Sequence, residues 1–378
     1  MTSRPASLDQ WLSSYAAKVA AAAEIDDAAV VAALATVPRH RFPRRLLVDG
    51  EWHAVTDHDR FPDELLAVIY DDNPLAFKLD HAGRLLSSTT LPSLLATMLH
   101  ALRLEPGMRV LEVGSGIGYN AALIHAVTGA EVVALDLQPD VVADARAALR
   151  RAGCTGVTAV VGDGYLGHPE RGPFDRIVAS CGIRGVPPAW LEQLKPSGMV
   201  LAPFAHGGAH PLVRVECRAG APHATAIGPW TDFMTAGGAL YQEFPGAHPE
   251  RFTIGPFPRP GLVKRVLPSL DWKEYTDLWF LMAAEGPAMT QARFADVDPA
   301  QGTATLIDRQ EGGALCLQRT GLAHVHGPHA DQLLEIVVGL VRNWLDAGRP
   351  KIADWRASMR MVNPSVGPLV IPSRWMCA

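Results

Sequence analysis

Short apolar runs and helically spaced apolar residues alternate through the middle of the chain. Arg109–Val113, Glu131–Leu135, Val157–Val161, Phe174–Ala179 and Gly198–Ala202 have the length and composition of buried strands. Between them, Ala121–Val127, Val141–Ala152 and Pro188–Leu194 carry apolar residues at helical spacing. Strands alternating with helices at this interval predict an α/β fold, a doubly wound Rossmann-like parallel sheet covered on both faces. A ligand belongs beyond the carboxyl ends of such strands, near the switch in strand order.

The flanks follow other patterns. Leu8–Val37 is rich in alanine, lacks strand-like alternation and predicts a helix that Pro38 ends. Residues 38–90 read as a loop-rich lead-in with short strands such as Leu66–Tyr70. Pro92 then starts a helix over Leu94–Leu104. After about residue 210 the regime changes. Leu212–Cys217, Thr303–Ile307 and Ala314–Gln318 predict strands, the last two joined by a hairpin at Arg309–Gly313. Leu333–Leu345 predicts an amphipathic helix stopped by Gly348-Arg349-Pro350. The Pro/Gly-rich stretch Phe244–Gly261 reads as a linker or lid. Three regions are therefore expected: a lead-in over 1–90 that contributes to the substrate site, a cofactor-binding core over 91–210, and an α+β substrate-recognition region over 211–378.

Composition narrows the class. With 48% hydrophobic and 19% charged residues, a chain of 378 residues is globular and long enough for two cores. A net charge of −5 provides no general attraction for nucleic acid or an anionic membrane, and neither is expected as a partner. No apolar run approaches the ~18 residues of a membrane span. The opening Met-Thr-Ser-Arg-Pro-Ala-Ser leads into Asp9 and Trp11 without a signal-peptide pattern. Cys154, Cys181, Cys217, Cys316 and Cys377 are scattered, which fits a reducing cytoplasm better than a disulfide framework or a zinc site.

The strongest chemical signal is Leu-Glu-Val-Gly-Ser-Gly-Ile-Gly, residues Leu111–Gly118, placed after a strand and before a helix. Glycine permits the tight turn and close approach of a ligand to the backbone. The spacing of Gly114, Gly116 and Gly118 is not that of the dinucleotide motif. Glu112 precedes the glycines, Ser115 lies among them, and Asp136 with Leu137 ends the next strand. An acid there can accept both ribose hydroxyls of a nucleoside. Asp163-Gly164 ends the third strand, where the carboxylate can accept from an adenine amino group. Three strand ends thus suit a nucleoside without pyrophosphate. The plainer alternative is a tight turn with a solvated acid.

Residues from about Val37 to Phe204 resemble the protein-L-isoaspartate O-methyltransferases. The matching segments are Val37–Phe42, Ser87–Pro92, Leu111–Asn120, Val161–Gly164, Phe174–Ile177 and Leu191–Pro203. The resemblance implies a class I methyltransferase sheet, S-adenosylmethionine as cofactor and a peptide carboxylate as acceptor. Family members typically carry Ser-Ala-Pro-His or Ser-Gln-Pro, whose serine contacts the substrate carboxylate. Here Thr90 takes that serine's place, Leu91 replaces the small or amide residue, and Ser93 stands where many members have histidine. These departures, with the long region after the sheet, resemble the branch that methylates an ordinary aspartate in ribosomal peptide natural products: lanthipeptides, lasso peptides or graspetides. In that branch the ester closes to an aspartimide. A general repair enzyme with an accessory domain is one alternative, and an inactive peptide-binding module is another. The implied catalytic hydroxyls are Ser88, Thr89 and Thr90, with Ser87 behind them. They can orient a carboxylate without neutralising it, whereas a capping role ahead of Pro92 is the structural alternative.

Other features carry less. His324, His326 and His329 lie in a Gly/Pro-containing loop without a well-spaced partner ligand, and no metal site is expected. Trp272, Trp279 and Trp344 read as core residues. Arg39, Arg41, Arg44 and Arg45 read as a solvated basic run, with an acidic peptide as the alternative partner.

Overall fold

A computed structural model describes residues 7–48, 50–55, 61–79, 82–83, 85–248, 257–286 and 288–378. Residues 1–6, and 249–256 of the expected linker or lid, lie outside the described residues. The chain forms two compact units, Met1–Cys181 with Pro187–Leu201 and Gly182–Val186 with Ala202–Ala378. The residues expected as a separate lead-in belong to the same unit as the central sheet. The segment Gly182–Val186 joins the second unit, where Val186 bridges to Val370 and Gly182 to Thr235.

The first unit opens with α1 (Leu8–Ala23) and α2 (Ala28–Thr36) in place of one continuous helix. The break has local causes. Glu24 takes a left-handed φ of 53°, and the Asp27 side chain caps α2 by accepting from Val30 N–H. A hairpin of β1 (Arg45–Val48) and β2 (Glu51–Ala54) follows. Next comes α3 (Asp63–Ile69), which contains most of the stretch expected as a strand at Leu66–Tyr70. Its apolar run suits either element. Asp63 and Glu64 favour the helix, because they complement the positive end of its dipole. A second hairpin, β3 (Ala76–Leu79) with β4 (Leu85–Ser88), leads to α4 (Pro92–Ala101), which has Pro92 at its first turn.

The central sheet then builds in the expected alternation. It contains β5 (Val110–Val113), α5 (Tyr119–Thr128), β6 (Val132–Asp136), α6 (Pro139–Arg151), β7 (Val157–Val161), β8 (Phe174–Ala179), α7 (Pro188–Glu192) and β9 (Leu194–Pro203). The strand order is β9-β8-β5-β6-β7, all parallel, with Val110 facing Val132 on one side and Arg176 on the other. Strand order therefore switches at β5, and the glycine loop lies at that switch point. Val110, Leu111, Val132, Ile177, Val178 and Val200 are buried, as the near-continuous apolar runs of a sheet covered on both faces require.

In the second unit, β10 (Leu212–Arg218), β11 (Ala221–Ala226), β17 (Trp355–Val362) and β18 (Leu369–Cys377) pair antiparallel in that order. A five-stranded antiparallel sheet has the order β12-β16-β15-β14-β13, formed by Leu262–Arg265, Leu322–His326, Gly313–Leu317, Ala304–Asp308 and Met289–Gln291. In the turn between β14 and β15, the Asp308 carboxylate accepts from Gln310 and Glu311 N–H. Helices α8 (Trp272–Glu285) and α9 (Ala330–Asp346) bury Trp279, Phe280, Leu333, Val337 and Trp344 in one core with this sheet. Trp272, expected in the core, is half exposed, with the Arg319 guanidinium 5.6 Å from its ring centre.

Candidate active site

Three glycines set the shape of the loop after β5. Gly114, Gly116 and Gly118 have φ of 79°, 53° and 84°, the left-handed region that an L side chain enters at a cost. They differ in what surrounds them. A Cβ on Gly114 would lie 3.1 Å from Cys181 Sγ, and one on Gly116 3.5 Å from the Phe77 ring. One on Gly118 would face Leu149 and Ala145 of α6. Gly118 thus serves the turn and the packing of α6 more than the approach of a ligand.

The loop lines one narrow cavity together with Ser88, Thr89, Thr90, Glu112, Asn120 and Ser180. The hydroxyl segment and the cofactor loop, far apart in sequence, therefore meet. Phe77, Asn120 and Ser180 were not singled out from the sequence. Ser180 had one available signal, its place just beyond the carboxyl end of β8.

Each hydroxyl has its own setting. Thr89 Oγ1 accepts from Leu75 N–H at 2.8 Å and from Arg39 Nη2 at 3.3 Å. With both lone pairs occupied, its O–H proton is available to donate. Ser88 and Thr90 have no side-chain hydrogen bond among the described residues and line the cavity. Ser87 Oγ, behind them, accepts from Gln138 Nε2 at 3.4 Å. The helix-capping alternative does not hold. The α4 N-terminus has no side-chain cap from this segment, and Ser93 N–H donates to Asp72 Oδ1 at 2.8 Å.

The expected solvated basic run holds for Arg44 and Arg45, which are exposed, and is corrected at Arg39. Arg39 is buried, and its guanidinium donates to the carbonyls of Ile69, Asp71 and Asn73 at 2.6–3.0 Å. Arg41 donates to Arg151 O, Arg44 pairs with Asp144, and Arg45 donates to Phe77 O while lying over Trp52. These arginines hold local structure together, and Arg39 backs Thr89.

Glu112 is fully buried. Its Oε1 accepts from Asn120 Nδ2 and Ser180 Oγ, both at 2.7 Å, while Oε2 has no partner. Burial pushes the carboxyl up to about 7, against hydrogen bonding from Ser180, Asn120 and the Ala121 backbone that favours the ionised form. Ser115 Oγ and Asn120 Oδ1 are likewise buried without a partner. This donor-poor set, one carboxylate oxygen and two neutral acceptors, suits an ammonium group, which brings donors only.

Asp136 is no solvated acid either. Its Oδ2 accepts from Gly116 N–H and its Oδ1 from Gln138 N–H, both at 3.0 Å. Burial raises its carboxyl above the ordinary value despite those bonds. Asp136 thus ties the end of β6 to the glycine loop. Leu137 beside it is exposed. Asp163 Oδ1 accepts from Tyr165 N–H at 2.9 Å, and the Gly164 carbonyl accepts from Trp190 Nε1 at 2.7 Å. Asp163 lines a separate, open cleft with Leu135, Val161 and Gly162. The buried orphan acceptors and the positive-φ glycines fit S-adenosylmethionine. Among the described residues no group of His, Cys, Asp and Glu is placed to hold a metal. His324 is spent on Gln318, and His329 lies by Asp308.

A parallel sheet of this order, a three-glycine loop at its switch point, and carboxylates at or beyond the ends of β5, β6 and β7 define an S-adenosylmethionine-dependent methyltransferase of the Rossmann-like class. Within that class, the chain belongs to the protein-L-isoaspartate O-methyltransferase family. The family profile "Protein-L-isoaspartate(D-aspartate) O-methyltransferase (PCMT)" matches residues 17–227. The protein-L-isoaspartate O-methyltransferase of Opitutus terrae is 36% identical over 209 residues, covering 54% of this chain and 78% of that protein. That of Methanoculleus marisnigri is 34% identical over 204 residues, covering 54% and 81%. A solved structure of a protein-L-isoaspartate O-methyltransferase shares the fold over 92% of this chain and 95% of its own, with a TM-score of 0.51 at 24% identity. The chain is accordingly a carboxyl O-methyltransferase, and no helix among the described residues is long and apolar enough to cross a membrane.

Proposed function

We propose that this enzyme esterifies the side-chain carboxylate of an aspartate in a modified ribosomal peptide, leading to an aspartimide. The observation that carries the proposal is the meeting of Ser88, Thr89 and Thr90 with the glycine loop around one cavity, under a substituted Thr90-Leu91-Pro92-Ser93 segment. When bound, S-adenosylmethionine supplies an already electrophilic methyl group. Glu112, Ser115 and Asn120 are assigned to its ammonium, Asp136 to the ribose and Asp163 to the adenine amino group. Gly114 and Gly116 keep the backbone open to it.

An aspartate is already an anion at neutral pH, so the chain needs no general base. Its task is to orient one carboxylate oxygen at near-attack distance. Thr89, with its acceptor sites filled, donates to the carboxylate. Ser88 and Thr90 supply further donors. Neutral hydroxyls preserve the nucleophile's charge, while the Arg39 cation stays one residue behind, spread over three carbonyls. After esterification, the next residue's amide nitrogen attacks the ester carbonyl, methanol leaves and a five-membered succinimide remains.

One finding favours repair of isoaspartyl proteins as a second reading. The solved structure named for that activity shares the fold over nearly the whole chain, so the C-terminal region alone does not distinguish the two. Matched peptides with aspartate or isoaspartate at one position, assayed for methyl ester and released methanol, separate them. The proposal expects no preference for isoaspartate, and ester formation on a cyclised ribosomal peptide encoded nearby. Rapid, selective turnover of the isoaspartyl peptide refutes it.

A further inference from the structure

The second unit contains a cavity of 190 Å³ that the methyl-transfer chemistry does not use. Three arginines line it: Arg184, Arg360 and Arg374. Arg184 has a side chain only 2% exposed. Its Nη2 donates to the exposed Glu243 at 2.7 Å and its Nη1 to His248 O at 3.2 Å, while Nε is buried with no partner. Arg360 and Arg374, on the paired strands β17 and β18, have no ion-pair partner among the described residues. Among the described residues no acidic side chain lines the cavity. His206 and His248 line it as well, and burial holds them down at about 3 and 4, so they are neutral at pH 7. Phe244 and Trp375 add aromatic surface.

Arg184 is buried beside this space and Arg360 and Arg374 are exposed where they line it, and Glu243 is the one carboxylate among the described residues that pairs with any of the three. An anion in that space gains charge-assisted, fork-shaped hydrogen bonds. The volume suits one residue of a peptide rather than a nucleotide, and the aromatic wall suits an apolar neighbour of the anion.

We propose that this cavity is a carboxylate-binding subsite for the peptide substrate, engaging a carboxylate other than the methylated one. The inference deepens the peptide reading above and rests on it. The chemistry is shared by a peptide C-terminus and an acidic side chain. Calorimetry on the full chain with three probes distinguishes them: acetyl-Gly-Gly-Phe with a free C-terminus, its C-terminal amide, and acetyl-Gly-Glu-Phe amide.

At least one carboxylate probe is expected to bind about tenfold or more tighter than the neutral amide, the worth of one good Arg–carboxylate pair. The tighter of the two identifies the source. Arg360→Gln and Arg374→Gln should each erase most of that difference while leaving S-adenosylhomocysteine binding unchanged. Equal binding of all three probes, or unchanged binding in both variants, overturns the proposal. So does tight binding of inorganic phosphate with none of the carboxylate probes bound. Carboxylate binding in a chain that esterifies no aspartyl peptide leaves this subsite standing and removes the proposed function. Aspartyl ester formation without carboxylate binding does the reverse.

Discussion

Glu112→Gln isolates one carboxylate oxygen. Glu112 rises from its ordinary 4.5 to about 7, chiefly because its charge is buried and further because Asp136 lies near. A shift of that size makes the ionised form about 3 kcal/mol less favourable in the fold than in the unfolded chain. Stability from this residue is therefore fully present below pH 4.5, and is lost as the pH rises to about 7. The substitution keeps the Oε1 bonds to Asn120 and Ser180 and removes the charge. It also leaves an amide donor where Oε2 was, at a cost of roughly 1–3 kcal/mol. The variant should thus equal or slightly exceed the parent in stability at pH 8.

Ligand binding should move the other way. Loss of the charge-assisted bond to the ammonium, about 2–3 kcal/mol, weakens S-adenosylhomocysteine roughly 30- to 150-fold. Because the parent must release a proton from Glu112 to bind, its affinity should fall as the pH drops below about 7. The variant's profile should be flat. Calorimetric titration between pH 5.5 and 7.5, with denaturant melts at pH 5 and 8, reads both effects. Binding by the variant within threefold of the parent, or a flat parental profile, would refute the assignment of Oε2 to the ammonium.

Neighbouring hydroxyls should separate structure from turnover. Thr89→Val strands Leu75 N–H and one Arg39 donor, and should cost about 2 kcal/mol in urea melts. Thr90→Ala breaks no such bond and should lower kcat with the melting curve unchanged. Gly114→Ala should weaken S-adenosylhomocysteine by at least about tenfold, since φ is 79° and Cys181 Sγ crowds the new methyl. Gly129→Ala, with a φ of 62° but open space, should leave ligand binding intact in the same titration. Asp136→Ala removes the acceptor of Gly116 N–H, and should weaken the same ligand while exposing the glycine loop to faster amide exchange. Trp344→Ala, in the fully buried core of the second unit, should cost about 3–5 kcal/mol by denaturant melting.

Local patterns made much of this protein legible. The period of apolar residues set the alternation from Val110 to Pro203, since a parallel strand buried on both faces reads as an apolar run and its covering helices do not. Gly114–Gly118 announced its turn because only glycine enters that backbone region cheaply. Leu333–Leu345 displayed its buried stripe, and the structure extends it to Ala330–Asp346. Between Asp63 and Ile69, five consecutive apolar residues hid the period, and the helix escaped notice.

Tertiary structure decided what no local rule encodes. Arg39 reads as a surface charge until three carbonyls from a distant turn converge on it. Thr89 becomes a committed donor only when Leu75 and Arg39 fill its lone pairs. Glu112 acquires its raised carboxyl from burial between Asn120 and Ser180, residues eight and sixty-eight positions away. The arginine-lined cavity needs β17, β18 and Gly182–Val186 brought together from opposite ends of the second unit's sequence. Periodicity and glycine content act over a few residues and survive in one dimension. Desolvation, lone-pair occupancy and charge clustering depend on which distant groups the fold places in contact.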